Sequence, residues 1–196
     1  MLFSHISMRC MKQWEQVVGF TVSLDANWFA YLQRPVEGDG TIKIKNRKNG
    51  NHYEFKAGRG SGGIAFSHNS QWVAFRSAAL DKAAKQAKKP VTNQLVLLRL
   101  KTGNELKFEN VSNFAFSGEM DKYLALHKAR SGSGGSAANS ASGRDLILHE
   151  LSSGRNLNIG NVGSFAFNKS GKWLALTIDA ANKSGNGLQL FDVANN

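Results

Sequence analysis

A single cysteine, Cys10, stands in the 196 residues, so no internal disulfide can form and no thiolate cluster can hold a metal. Apolar runs are short as well. None approaches the ~20 residues that a membrane-spanning helix needs, and Ser4, His5, Ser7 and Arg9 interrupt what would be the apolar stretch of an export signal. Carboxylates are few, 14 against 25 lysines and arginines, and no pair stands out for acid/base work. The five histidines, His5, His52, His68, His127 and His149, fall at the N-terminus and at strand or turn positions of different segments, without the HExxH or paired spacing of a metal site. No Gly-x-Ser-x-Gly occurs to hold a serine nucleophile on a strained elbow. The sequence thus nominates no catalytic, no cofactor-binding and no metal-ligating residue, and no cofactor is expected.

What is present is enough to build a core: 41% hydrophobic residues, with 10% aromatics, in a chain of ordinary domain length. The formal charge of +11 favours anionic partners through its long-range field. The cations are scattered, however, with local concentrations only at Lys43–Arg59 and Lys82–Lys89. Nucleic-acid recognition usually shows a patch on a recognisable module, so solvated surface is the expectation, with neither nucleic acid nor membrane as partner. The compartment stays open.

The informative feature is repetition. FSHNSQWVAF at Phe66–Phe75 recurs as VSLDANWFAY near Val22, FSGEMDKYLAL near Phe116 and FNKSGKWLAL near Phe167. Each copy starts apolar, passes through a short polar turn, and continues with an aromatic, an aliphatic, Ala and a large apolar residue, which reads as a β-hairpin. The marker aromatics Trp28, Trp72, Tyr123 and Trp173 are spaced 44, 51 and 50 residues apart. A third apolar run follows each hairpin, at Ile42/Ile44, Leu95–Leu98, Leu146–Leu148 and Leu188–Phe191. After the first three of these come a turn with glycine (Asn49-Gly50, Thr102-Gly103, Ser153-Gly154) and a fourth run (Tyr53–Phe55, Leu106–Phe108, Leu157–Ile159).

Four short strands at this period are the signature of propeller blades. The expected class is all-β: a β-propeller with about four four-stranded blades, after a lead-in over 1–18. The blades are expected at 19–58, 63–109 and 111–160, with 162–196 incomplete and no catalytic domain present. Four blades close only if Met11–Val18 supplies the missing outer strand of the last; the preferred expectation is a piece of a larger propeller. Trp72-Val73-Ala74-Phe75 is apolar on both faces, as a strand between neighbouring blades should be, whereas Ile42-Lys43-Ile44-Lys45 is charged on one face. Ala30, Ala74, Ala125 and Ala175 fit a crowded position between blades, and Trp72 is expected in the core.

Two inserts interrupt the plan, Arg76–Asn93 with its LDKAAKQAKK, and the Gly/Ser/Ala-rich Arg130–Gly143; both are candidate places for contacts. Gly58–Gly63, GRGSGG, matches Gly-x-Gly-x-x-Gly, but Ile64-Ala65-Phe66 opens a strand where a dinucleotide site needs a helix, so the glycines read as a crossing between blades.

SLDANWFAYLQ, FSHNSQWVAFRS and FNKSGKWLALT resemble the FSPDGKWLAF repeat of bacterial β-propellers, and most of all the N-terminal propeller of the prolyl oligopeptidase family of serine peptidases. The lysine-rich insert followed by NQLVLLRLKTGNE is similar to that propeller too, and the resemblance runs from Trp14 to Val193. Tol-type periplasmic propellers carry a similar repeat. The usual Asp-Gly of the turn is replaced by Ala26-Asn27, Asn69-Ser70 and Met120-Asp121, with only Ser170-Gly171 near to form. The resemblance implies a non-catalytic cap, partnered by an α/β-hydrolase domain in the same parent chain, that admits short peptides; none of that domain's catalytic residues matches anything here. The alternative is a stand-alone or Tol-type β-propeller, a binding scaffold for protein or anionic partners.

Overall fold

The computed structural model describes residues 14–87, 93–129, 143–181, 183 and 185–195. The regular structure of the described chain is almost entirely antiparallel β. The first sheet holds β1 (Glu15–Val22), β2 (Trp28–Pro35), β3 (Gly40–Asn46) and β4 (His52–Ala57), and the second holds β5 (Gly62–Phe66), β6 (Trp72–Ser77), β7 (Gln94–Arg99) and β8 (Glu105–Glu109), each in sequential order. A third, six-stranded sheet runs in order from β9 (Val111–Phe116) through β10 (Tyr123–Lys128), β11 (Arg144–Glu150), β12 (Asn156–Phe167) and β13 (Trp173–Ile178) to β14 (Gly187–Asp192). One short helix, α1 (Asp81–Gln86), lies in the first insert. The chain forms two compact units: the chain up to Phe66 with Ser70–Glu109, and Ser67–Asn69 with Asn110–Asn196.

The hairpins of the first, third and fourth repeats share their local chemistry. A Ser or Asn opens the turn, and its side-chain oxygen accepts the amide of the marker aromatic: Ser23 Oγ from Trp28 at 2.9 Å, Ser117 Oγ from Tyr123 at 2.9 Å, and Asn168 Oδ1 from Trp173 at 3.1 Å. Two residues before each aromatic the backbone turns left-handed, at Ala26 (φ 54°), Ser70 (58°), Asp121 (46°) and Gly171 (76°). The Asp-Gly dipeptide has drifted, yet the geometry it encodes persists in all four copies, at a steric cost wherever the residue carries a Cβ. The glycines of the second turns, Gly50, Gly103 and Gly154, all have φ near +75° (74°, 75° and 75°), as expected.

In the first unit, Trp28, Ala30, Ile42 and Ile44 of the first sheet pack against Val73, Phe75, Val96 and Leu98 of the second. Phe55 meets Phe75 at 4.9 Å between ring centroids, and the Tyr53 hydroxyl donates to the Leu100 carbonyl at 2.9 Å. In the second unit, Tyr123, Ala125, Leu146 and Leu148 share a core with Leu174, Leu176 and Val193. Strands β10 and β13 lie three spacings apart, roughly 14 Å across a flat sheet, so this core requires the sheet to fold over. The fold is at Asn161 (φ 56°) in β12, where the register with β11 shifts between Arg144 and Leu146.

Several expectations need correction. The first strand starts at Glu15, within the 1–18 lead-in, and pairs with β2 from Glu15↔Pro35 to Val22↔Phe29. Residues 15–18 are therefore committed to the first sheet and do not complete the last repeat; residues 11–13 lie outside the described residues. The expected blade bounds at 160 and 162 fall inside one continuous strand, β12, which pairs with both β11 and β13. The marker aromatics do not share one environment: Trp28 and Tyr123 are buried, Trp72 is half-buried under the Arg99 guanidinium (5.4 Å), and Trp173 is 46% exposed. Ala30, Ala74 and Ala125 are fully buried, and Ala175 is half-buried.

Candidate functional site

The histidines are where structure needs them. His127 is buried, with Nε2 2.8 Å from the Val162 carbonyl and its ring edge-on to Phe165, and buried His149 has Nδ1 2.8 Å from Asn156 Oδ1. His52 and His68 are exposed, in or beside turns, and His5 lies outside the described residues. Among the described residues no group of three or more His, Cys, Asp or Glu could hold a metal ion, and no helix is long and apolar enough to cross a membrane.

Gly58–Gly63 behaves as a crossing. Gly58 closes against the Ala78 carbonyl (3.3 Å), a Cβ there would lie 1.8 Å from the Ala79 carbonyl oxygen, and β5 follows from Gly62. Of the two inserts, α1 is exposed over nearly all its length and anchored by the Asp81 amide to Asp39 Oδ1 at 2.9 Å. Residues 88–92 and 130–142 lie outside the described residues, so the contact role expected of the inserts falls largely there.

The most built surface feature lies among the hairpin turns of the second unit. Asp121, held left-handed, accepts the amides of His68 (2.8 Å) and Asn69. Burial pushes its carboxyl above the usual aspartate value, and those two amides only partly offset that. The turns before β10 and β13 also meet: the Glu119 amide donates to the Lys169 carbonyl at 3.2 Å, and the two side chains pair at 3.8 Å. His68, Phe116, Glu119, Phe167, Asn168 and Lys169 line a shallow groove of about 430 Å³. It offers one imidazole and one charge of each sign on an open surface, without the nucleophile, base and orienting group of a hydrolytic site.

Two further carboxylates brace turns. In Glu150 the Ser153 hydroxyl and then the Arg155 guanidinium, 3.1 Å away, hold the group below its ordinary value. In Asp25 burial would raise the group, but hydrogen bonds from Ser23, Asn27 and Ser70 outweigh it and lower it. Neither residue was singled out as a site, and their bracing role explains them fully.

No family profile and no curated protein matches the sequence. Solved structures do match. The β-propeller domain of the Trilobed protease from Pyrococcus furiosus superposes with a TM-score of 0.56 at 13% identity, over 83% of this chain and 49% of that one. Prolyl oligopeptidase B from Galerina marginata, bound to a 35mer hydrolysis and macrocyclization substrate, gives 0.60 at 12% identity over 96% of this chain. The chain has a β-propeller fold. Pyrococcus horikoshii acylaminoacyl peptidase gives 0.54 at 12% identity over 86%. The propeller chain spans about half of the Trilobed protease domain and only 28% and 29% of the two peptidases.

Proposed function

We propose that this chain is the non-catalytic propeller portion of a prolyl oligopeptidase-like serine peptidase, set beside an α/β-hydrolase domain of the same parent chain and limiting access to short peptides. The observation that carries the reading is the superposition of 96% of the chain on prolyl oligopeptidase B, with only 28% of that protein used. The repeats with the FSPDGKWLAF pattern agree with it, as does the absence of a nucleophile–base pair among the described residues. The 196-residue protein is expected to leave proline-containing peptides uncleaved. Turnover blocked by a serine-directed inhibitor would overturn the non-catalytic assignment. Sequencing the gene past the Asn196 codon is expected to reveal Gly-x-Ser-x-Gly in frame, and a stop codon directly after Asn196 would overturn the peptidase assignment.

A further inference from the structure

One guanidinium of the first unit is buried at its edge without an acceptor. Trp28, Ala30 and Leu32 form the buried row of β2, the face packed against the second repeat, and Arg34 continues that row by the period-two alternation of a strand. As a residue Arg34 is half-buried, yet its Nε and Nη2 are both shut off from solvent, and neither has a hydrogen-bond partner among the described residues. Buried donors are nearly always satisfied and a buried charge without a partner is costly, so this pair calls for an acceptor. No carboxylate of the 196 residues fills the role. All 14 aspartates and glutamates fall among the described residues. Of those near Arg34 in the chain, Glu15 accepts from Gln33 Nε2, Asp39 accepts the Asp81 amide at 2.9 Å, and Glu37 is engaged elsewhere.

The two idle donors are a matched set. Nε–H and the adjacent N–H of Nη2 lie parallel in the guanidinium plane, the fork that meets both oxygens of a carboxylate. A carboxylate brings one negative charge and two coplanar oxygens, so one fork satisfies it; a phosphate dianion, with a further charge and more oxygens, needs more donors than Arg34 offers. Beside Arg34 along β2 lies an apolar space. The register of β1 with β2 shifts between Val17 and Phe20, next to Leu32, and that of β5 with β6 shifts between Gly62 and Ala65. Val18, Gly19, Leu32, Gly62, Gly63 and Ile64 line a cavity of about 220 Å³ there, and a Cβ built on Gly19 or Gly62 would meet nothing within 4 Å.

We propose that Arg34 and this cavity form a binding site for a carboxylate borne on a small apolar group, the fork taking the carboxylate and the cavity the apolar part. The C-terminal residue of a peptide and a short free carboxylic acid share that chemistry. Because Arg34 as a whole is only half-buried, rotation of its flexible stem brings the fork to a ligand at the rim. Every residue of the site belongs to the first unit, within the pairing of two adjacent repeats. The site goes beyond the peptidase reading and does not rest on it.

The test is a magnetic-resonance titration of the 196-residue protein, isotopically labelled in nitrogen, that reads the arginine Nε–H signals, with R34K and R34M beside the wild type. R34K keeps the charge but loses the fork, and identifies the Arg34 signal by its absence. Acetate, N-acetyl-leucine and N-acetyl-leucinamide are added against chloride at equal ionic strength. In the wild type the Arg34 signal is expected to shift saturably with both acids and not with the amide, and the unfolding temperature to rise with the acids. R34M, which removes a buried unpaired cation, is expected to be no less stable than the wild type without acid and to gain nothing from either acid. Saturation at a lower concentration of N-acetyl-leucine than of acetate assigns the peptide terminus as the source; saturation at equal concentrations assigns a small free acid and overturns the part given to the cavity. No shift with either acid, as a fork met by water alone would give, overturns the inference, as does an equal shift with chloride or the amide, or an R34M unfolding temperature that rises with acid like that of the wild type. Peptidase assays do not enter, so this outcome and that of the functional proposal are read separately.

Discussion

Replacing Gly171 with alanine tests the turn geometry most directly. The residue has φ 76°, and a Cβ built on it would lie 1.6 Å from the Ser117 carbonyl oxygen, 2.8 Å from its carbonyl carbon and 3.0 Å from Met120 Cβ. The first two are backbone atoms at the head of the neighbouring repeat's turn, so no side-chain rotation relieves the overlap. The left-handed conformation costs about 1–2 kcal/mol for an alanine. Pushing the turns apart costs about 1–3 kcal/mol as an overpacked site and strains the bond from the Glu119 amide to the Lys169 carbonyl. G171A should therefore lose about 2–5 kcal/mol, a large share of a typical domain's stability. Guanidinium unfolding followed by tryptophan fluorescence reads it, with the slope m unchanged. Ala26 occupies the same turn position in the first repeat with φ 54°. A26G relieves the conformational cost while adding freedom to the unfolded chain, and should gain about 0.5–1 kcal/mol. A loss below about 1 kcal/mol for G171A, or a destabilised A26G, would refute the assignment of these positions.

Trp28 is buried and stacks on Tyr53 at 6.0 Å between centroids, so W28A should lose about 3–5 kcal/mol. Half-buried Trp72 should lose less, about 1–2 kcal/mol; equal losses in denaturant unfolding would contradict the difference in environment. Asp121 has a folded pKa raised above its unfolded value of about 3.8, so its contribution is fully present below that pH and is lost as pH rises through the folded value. Wild type should accordingly lose stability relative to D121N as pH climbs through the acid range. Asp25, lowered, has the opposite sign: its contribution is present above pH 3.8 and is lost as pH falls through its folded value, so the gap between wild type and D25N should close in acid. Unfolding midpoints that move in parallel for both pairs would reject these assignments.

Much of the strand plan was legible because alternation and glycine positions are local signals. Ile42 and Ile44 are fully buried while Lys43 and Lys45 keep water contact, as the period-two pattern requires, and Gly50, Gly103 and Gly154 take the positive φ that their turns need. The left-handed residue of the first turn was not legible in three copies of four. Ala26, Ser70 and Asp121 carry no glycine signal there, and the turn holds because the flanking strands and the Ser or Asn caps fix it. The continuity of β12 was hidden for a related reason. Gly160, Asn161 and Gly163 lie within it, and Asn161 in the left-handed region bends the strand while its carbonyl still accepts the Asp179 amide at 2.8 Å.

Burial of the marker aromatic was the step that local pattern could not supply, because it depends on what lies across the sheet. Trp28 and Trp173 sit at the same position of the same motif, preceded by the same capped turn. Trp28 is covered by residues of the next repeat and Trp173 is 46% exposed. The motif therefore specifies a hairpin, and the neighbouring repeat decides whether its aromatic is core or surface. The groove among the turns follows the same logic. Asp121 was read as a turn-former, which is correct locally; that it receives two amides from a turn more than 50 residues away follows only from the way the turns converge. Drift at the turn dipeptides has a physical origin: the turn can be held by several side-chain oxygens, Ser23, Ser117 or Asn168, so no single dipeptide is required.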